Sequence, residues 1–355
     1  MEKKILLLFI CALFAVGSLA SEGVKAKTYN INLDTDPLHR WDDVIEELYN
    51  PDVETFIQSL IKQFVPSWLK LPLDFVAPLF LKRRGDLGQE IIGISKKIQE
   101  MNPKTSMTEG MAWLLNEIYV LNMGCTSIVG EHEDSHIIHG RNLDYNWPAE
   151  LSKITFQASF QRGGKTVYHG TMFLSFVGIP TGMKPGAFSI SYDERDKDNT
   201  LAGNVLSILI GRMLPSWEIR NTLETQTTWE NAVEYLSKTS MVAPAYFIVG
   251  GTENNQGAVL TRKRTELVDK WLIDTSADRW FLLETNYDHW LPAPSGDDRR
   301  DPGNAHMNAL GRKDYSTETL FSDVMVENPT RNKHTVYTTI MDSKNDVYET
   351  TLWPQ

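Results

Sequence analysis

Up to about residue 122 the apolar positions recur three and four apart, and from residue 125 onward they tend to alternate. The first spacing predicts helices and the second predicts strands. A short alternating stretch at 29–33 precedes the helical part. A helix is expected from Trp41 to Leu48. Phe56, Leu60 and Phe64, four apart, predict another over 53–64, with Asp52 as its N-cap. Pro66 ends it. The stretch 68–81 is strongly apolar, but Pro72 and Pro78 argue against one long helix there. A helix over 87–101 follows. Ser106-Met107-Thr108-Glu109 reads as a capping box ahead of a helix over 111–121.

Beyond Gly124 the expected elements are mainly strands. Segments 125–131 and 136–142 read as a hairpin around His132-Glu133-Asp134-Ser135. A turn centred near Glu133 sets Cys125 opposite Arg141, with Asp144 just beyond, and a one-residue slip moves that pairing. Segments 154–162 and 165–173 pair across Gly163-Gly164. A strand over 187–192 leads to helices over 201–213, 217–224 and 229–238. Strands follow over 245–249, 258–262 and 280–285, then a helix opened by Asp301-Pro302, then strands over 335–341 and 347–352. Strands, a block of helices and strands again predict an α+β protein, with sheets faced by helices. There is no internal repeat and no low-complexity linker.

Composition narrows the class. The 355 residues are 41% hydrophobic and 23% charged, as in a packed globular protein. A net charge of −11 argues against nucleic acid as a partner, because phosphate binding needs a basic patch. Residues 1–20 read as a secretory signal: Lys3 and Lys4, a short apolar run, then Ser18-Leu19-Ala20. The rest has no apolar run of the length that spans a bilayer, so a soluble or peripheral mature protein is expected. The apolar stretch 66–81 ends in Lys82-Arg83-Arg84. It suits either packing on the larger half or a peripheral membrane contact through 66–84. Cys11 falls in the signal, which leaves Cys125 alone and no internal disulfide. No Asn-x-Ser/Thr acceptor occurs, since Asn328 is followed by Pro329. A bacterial periplasmic or exported address therefore stays open beside a lysosomal or secreted one.

Three constellations could carry chemistry. Glu131 to His139 is rich in metal-ligand types, but a turn and strand do not bring His132 and His136 together as a helix would. A Cys–His pair would need one of eight histidines, and no local signature selects it. The third is a cysteine at a chain terminus, made by cutting Gly124–Cys125. Its thiol is the nucleophile and its own α-amine the proton acceptor. A nearby Arg141 would favour the thiolate. Asp144 could orient the amine, and Asn286 suits an oxyanion donor. From spacing alone, Arg141 and Asp144 read first as a surface ion pair, and Cys125 reads equally as a buried inert thiol.

The motifs Cys125-Thr126-Ser127-Ile128-Val129 and His139-Gly140-Arg141-Asn142-Leu143-Asp144-Tyr145 resemble those of the acid ceramidase and N-acylethanolamine-hydrolysing acid amidase family. Asp193-Glu194-Arg195-Asp196-Lys197, Val336-Tyr337-Thr338-Thr339 and Glu284-Thr285-Asn286-Tyr287-Asp288-His289-Trp290 resemble it too, the last pointing to the acylethanolamine branch. The resemblance implies a zymogen with the four-layer αββα fold of N-terminal nucleophile hydrolases. It implies a mainly helical α chain over 21–124 and a catalytic β chain over 125–355, the two chains staying associated. It implies self-cleavage at Gly124–Cys125 with Cys125 as nucleophile, Arg141 and Asp144 positioning it, and Asn286 as oxyanion donor. Arg299 falls at a further polar position of the site, with Glu194 and Tyr145 meeting substrate. The expected reaction is hydrolysis of a fatty acyl amide at acid pH, with ceramide as the alternative substrate and no metal or cofactor.

Overall fold

The computed structural model describes residues 22–64, 67–118 and 124–354. The expected leader 1–20 and the residues 119–123 just before Gly124 lie outside them. The N-terminal segment holds β1 (Val24–Lys25), β2 (Thr28–Asn32), α1 (Asp42–Leu48), α2 (Pro51–Phe64), α3 (Ser67–Lys82), α4 (Asp86–Met101) and α5 (Glu109–Ile118). After Gly124 come β3 (Gly124–Glu131), β4 (Ile137–Asp144), α6 (Pro148–Lys153), β5 (Thr155–Arg162), β6 (Lys165–Phe173), β7 (Thr181–Lys184) and β8 (Phe188–Glu194). Then follow α7 (Leu201–Leu209), α8 (Pro215–Thr225), α9 (Trp229–Lys238), β9 (Ala245–Gly250), β10 (Gly257–Arg262), β11 (Leu267–Leu272) and β12 (Phe281–Glu284). The chain closes with α10 (Arg300–Leu310), α11 (Thr317–Leu320), β13 (Thr335–Asp342) and β14 (Val347–Leu352).

The strands form two sheets. One runs β1-β14-β13-β4-β3-β12 and the other β11-β10-β9-β8-β7-β6-β5-β2. They pack face to face, with β3 against β8 and β9 and β12 against β10. Helices α8 and α9 cover the outer face of the larger sheet, while α10 and α11 lie on the smaller. This is the αββα layering, and it explains why β4 and β8 are buried along their whole length and β3 from Cys125 onward.

The N-terminal segment is woven into both sheets. β2 pairs in parallel with β5, and β1 pairs with β14. Its helices share one core with the larger sheet, where Trp41 packs edge-on against Phe156 and Phe160. Glu90 of α4 is fully buried beneath it. It accepts two bonds of 2.6 Å from Arg220 of α8, one of 2.9 Å from Trp41 Nε1 and one from Arg40.

Several expectations are corrected. The stretch around Pro72 and Pro78 is one continuous helix, α3. Both prolines lie on its exposed face, where displaced carbonyls can meet water, while Leu73, Ala77 and Leu81 are buried. Burying each leucine contributes roughly 1.5–3 kcal/mol, which offsets a cost of about 3 kcal/mol per proline. Helix α2 begins at Pro51, and its cap is Asn50, whose Oδ1 accepts from the Asp52 and Val53 amides at 3.0 and 3.1 Å. The capping box at Ser106 does not form; Thr108 Oγ1 caps α5 instead, accepting from the Met111 amide at 3.2 Å. Helix α10 opens at Arg300 rather than Asp301-Pro302. Helix α7 is shorter than expected, because Gly211 turns the chain with φ 87°.

Candidate active site

Cys125 is the second residue of β3, and its neighbours come from β4. The hairpin register pairs Gly124 with Asp144, Cys125 with Leu143 and Ser127 with Arg141. The expected pairing of Cys125 with Arg141 is therefore two residues out. The turn centres on Asp134, not Glu133, with Ser135 in the left-handed region at φ 69°. An offset of two keeps the same face, so Arg141 still reaches the thiol diagonally.

Arg141 is fully buried and held from several sides. Its Nη1 donates to Thr181 Oγ1 at 2.7 Å and Tyr337 Oη at 2.6 Å. Its Nη2 donates to the Tyr192 carbonyl at 3.0 Å and to Cys125 Sγ at 2.9 Å. The thiol has no exposed surface. Burial pushes it up to about 12, and Arg141 pulls the other way without winning. In this uncut chain Cys125 is thus a neutral thiol, not the thiolate that an adjacent cation alone would suggest.

The backbone of Cys125 is clamped. Its amide donates to Asn286 Oδ1 at 2.8 Å, and its carbonyl accepts from Arg299 Nη1 at 2.6 Å. Arg299 Nη2 also donates to Asn286 Oδ1 at 2.8 Å. Asn286 Nδ2 donates to the Glu194 carbonyl at 2.9 Å. Expected as an oxyanion donor, Asn286 here uses its oxygen to hold the nitrogen of Cys125. Asp144 faces Gly124 and accepts from Thr335 at 2.6 Å, Asn332 at 2.8 Å and Arg299 at 3.3 Å. The Glu194 carboxylate accepts from Asn199 at 2.7 Å. Tyr145 is buried beside Trp147. Gly124, Asp144, Tyr145, Asn286 and Arg299 line one cleft of 550 Å³.

The other two constellations do not assemble. His132 bonds the Lys313 carbonyl and His136 pairs with Asp342. Among the described residues no three His, Cys, Asp or Glu side chains are grouped to hold a metal. The charged side chains that bear most on the thiol are Arg141, Asp193 and Asp144. Thr181, Tyr337, Ser127 and Asp193 were not singled out from the sequence as site residues. Their signal was period-two polarity, with Cys125 and Ser127 on β3 and Ser189, Ser191 and Asp193 on β8.

This chain is similar to known proteins. Residues 125–294 match the model described as linear amide C-N hydrolases, choloylglycine hydrolase family, and residues 24–84 match that of the beta subunit of N-acylethanolamine-hydrolyzing acid amidase. The chain is accordingly an amide hydrolase with the N-terminal nucleophile fold. It is 38% identical to the N-acylethanolamine-hydrolyzing acid amidase of Mus musculus over 316 residues, covering 89% of this chain and 85% of that one. It is 35% identical to the acid ceramidase of Homo sapiens over 345 residues, covering 91% and 85%. A solved structure, the Caenorhabditis elegans N-acylethanolamine-hydrolyzing acid amidase ortholog, superposes with a TM-score of 0.57 at 36% identity, covering 62% of this chain and 94% of that one. The chain belongs to the N-acylethanolamine-hydrolyzing acid amidase and acid ceramidase family.

Proposed function

We propose that this chain is a self-cleaving cysteine amidase. It hydrolyses fatty acyl amides, N-acylethanolamines such as palmitoylethanolamide first among them, to a fatty acid and a small amine at acid pH. The observation that carries this reading is the clamp on one residue: Arg141 on the Cys125 sulfur at 2.9 Å, Asn286 on its nitrogen and Arg299 on its carbonyl. In self-cleavage the sulfur attacks the Gly124 carbonyl carbon, the Gly124–Cys125 C–N bond breaks, and the thiol proton passes to the Cys125 nitrogen. Water then hydrolyses the thioester. The freed α-amine, with an ordinary pKa of about 7.7–8.0, serves as proton acceptor for turnover. Substrate acyl carbon next takes the place of Gly124: the sulfur attacks it, its C–N bond breaks, the α-amine passes the thiol proton to the departing amine, and water hydrolyses the second thioester to the acid. Asn286, once Cys125 N–H is no longer an amide, turns its donor to the oxyanion. Arg141 and Asp144 position the terminus, with Tyr145 and Glu194 beside the substrate.

The cut makes an α chain of 21–124 and a β chain of 125–355. The hydrolase match begins at Cys125 and the match to the model described as a beta subunit, on the stretch called the α chain here, lies wholly before it, which supports a boundary between the two. The strand pairings β1–β14 and β2–β5 support continued association of the chains. Lipid substrate is drawn from a membrane surface met by α3 and α7. Phe75 and Leu79 of α3 are exposed, as are Leu201, Leu206 and Leu209 of α7. Arg84, just after α3, donates to the carbonyls of Gly211 and Arg212 just after α7, so the two helices end side by side. No described helix is long and apolar enough to cross a membrane. A signal at 1–20 and an acid optimum suit a lysosomal or secreted protein.

The test is incubation of the purified precursor at acid pH, followed by fragment masses and by rates on palmitoylethanolamide and ceramide. Cleavage after Gly124 and faster release from palmitoylethanolamide are expected. A Cys125→Ala protein that still splits and still hydrolyses the amide would sink the mechanism. Faster ceramide hydrolysis, which the acid ceramidase relatives favour, would replace the substrate.

A further inference from the structure

A buried polar strip runs between the two sheets, and the steps above do not use it. Asp193 of β8 has no exposed surface. Its Oδ1 accepts from Ser127 Oγ at 2.8 Å and lies 4.0 Å from Arg141 Nε. Asp193 Oδ2 and Arg141 Nε have no hydrogen-bond partner. The strip continues from Ser191 Oγ to Ser127 Oγ at 2.9 Å and from Ser191 Oγ to His139 Nε2 at 2.9 Å. His139 Nδ1 meets Ser189 Oγ at 3.0 Å, and Ser189 Oγ faces the Gly250 carbonyl at 3.4 Å.

Two acids thus share one guanidinium. Arg141 Nη2 serves the Cys125 sulfur, while Nε faces Asp193. The other charged or titratable groups that bear on Asp193 come from three places: Cys125 on β3, Arg299 ahead of α10 and Glu284 on β12. Tyr246 of β9 is its strand partner. Burial pushes Glu284 and Tyr246 up, away from their charged forms. Burial, and then Arg141, push His139 down to about 3, so it stays neutral. Burial pushes Asp193 up to about 7, against the pull of Arg141 and the Ser127 bond. That leaves Asp193 as the member of the strip that changes charge in the working range.

We infer that Asp193 is a positioning residue that ties the reactivity of Cys125 to pH: ionised it neutralises Arg141, and protonated it leaves the guanidinium to the sulfur and to the negative charge that develops on the attacked carbonyl. This rests on the reading of Cys125 as nucleophile. In self-cleavage the thiol proton passes to the leaving Cys125 nitrogen, which is still an amide and does not titrate in this range, so lowering the pH removes no proton acceptor from that step. The rate therefore rises as pH falls through the titration of Asp193. The strip adds a second signature. With Asp193 ionised, Ser127 donates to it, Ser191 donates to Ser127, and His139 donates from Nε2. With Asp193 protonated, the carboxyl donates to Ser127, every donor reverses, and His139 carries its proton on Nδ1.

The experiment compares wild type with Asp193→Asn, which keeps the size and removes the charge. Wild-type self-cleavage after Gly124, followed as a gel time course of the precursor, is expected to slow about tenfold or more between about pH 5 and pH 8, and that of the variant less than about threefold. A variant whose profile matches wild type overturns the inference. Nitrogen NMR of wild type, assigned with a His139→Gln control, is expected to show the His139 proton move from Nδ1 to Nε2 over the same range. A tautomer that does not respond overturns it as well, and this reading survives if Asp193→Asn fails to fold. Activity remaining in Cys125→Ala would strike the nucleophile and not the titration, which His139 reports independently.

Discussion

Arg141 and Cys125 touch without facing each other. Arg141 pairs with Ser127 across the β3–β4 hairpin, and its Nη2 still lies 2.9 Å from the Cys125 sulfur. The diagonal reach leaves the residue opposite Arg141 free to be Ser127, which bonds Asp193. One guanidinium thereby stands between the nucleophile and a buried carboxylate.

Lysine cannot replace Arg141. It keeps the charge but offers one nitrogen where the guanidinium serves Thr181, Tyr337, the Tyr192 carbonyl and the sulfur. Arg141→Lys is expected to slow both self-cleavage and turnover by roughly a hundredfold or more. A gel time course and an acyl-amide assay on the same preparation check both.

Tyr337→Phe removes the 2.6 Å bond to Arg141 Nη1 and leaves the ring in place. A hydrogen bond to a charged group contributes about 1.5–3 kcal/mol, so kcat is expected to fall by roughly tenfold to a hundredfold. KM should hold, because Tyr337 is buried behind Arg141 and away from the cleft. Steady-state kinetics separate the two constants.

Glu90→Gln leaves Arg40 and Arg220 buried without their shared carboxylate. Breaking such a pair costs about 3–5 kcal/mol. The thermal midpoint should drop by several degrees, and the N-terminal segment should become the first part open to protease. Thermal unfolding followed by limited digestion tests this.

Glu117, near the end of α5, is buried, with Trp113 Nε1 at 3.0 Å and Arg84 at 3.9 Å. Burial pushes it up from its ordinary 4.5 to about 7. The folded chain then keeps a proton that the unfolded chain releases. Its contribution is full below pH 4.5 and is lost as pH rises towards 7. Melting points at acid and neutral pH are expected to differ in that direction, and Glu117→Gln should narrow the gap. A gap that does not narrow would assign the pH response to other groups.

Phe75→Asp with Leu206→Asp places charges on both exposed helices. Co-sedimentation with anionic vesicles should weaken severalfold, while hydrolysis of a detergent-dispersed substrate should change little.

Much of this molecule could be read from its residues. Helical spacing before Gly124 and alternation after it foretold the α+β layering. An even offset put Arg141 on the face of Cys125 although the turn centre was misjudged, because strand faces repeat every two residues. Three things escaped for physical reasons. The α3 prolines look like breaks until the apolar face that holds the helix against α5 is known. Strand β11 mixes Leu267, Val268, Asp269, Lys270, Trp271 and Leu272 at a sheet edge, where no alternation is required. Ser189, Ser191 and Asp193 look like the wet face of a half-exposed strand. Only the second sheet, closing over β8, turns that face into the interior.

The weave of the N-terminal segment has a consequence for assembly. Strands β1 and β2 take their places in two different sheets while still joined to the rest by one backbone. A cut at Gly124 would come after that docking. Each molecule would then carry its two polypeptides in a ratio of one to one, independent of dilution. Expressing the pieces from separate genes would ask two incomplete sheets to find their missing edges by collision.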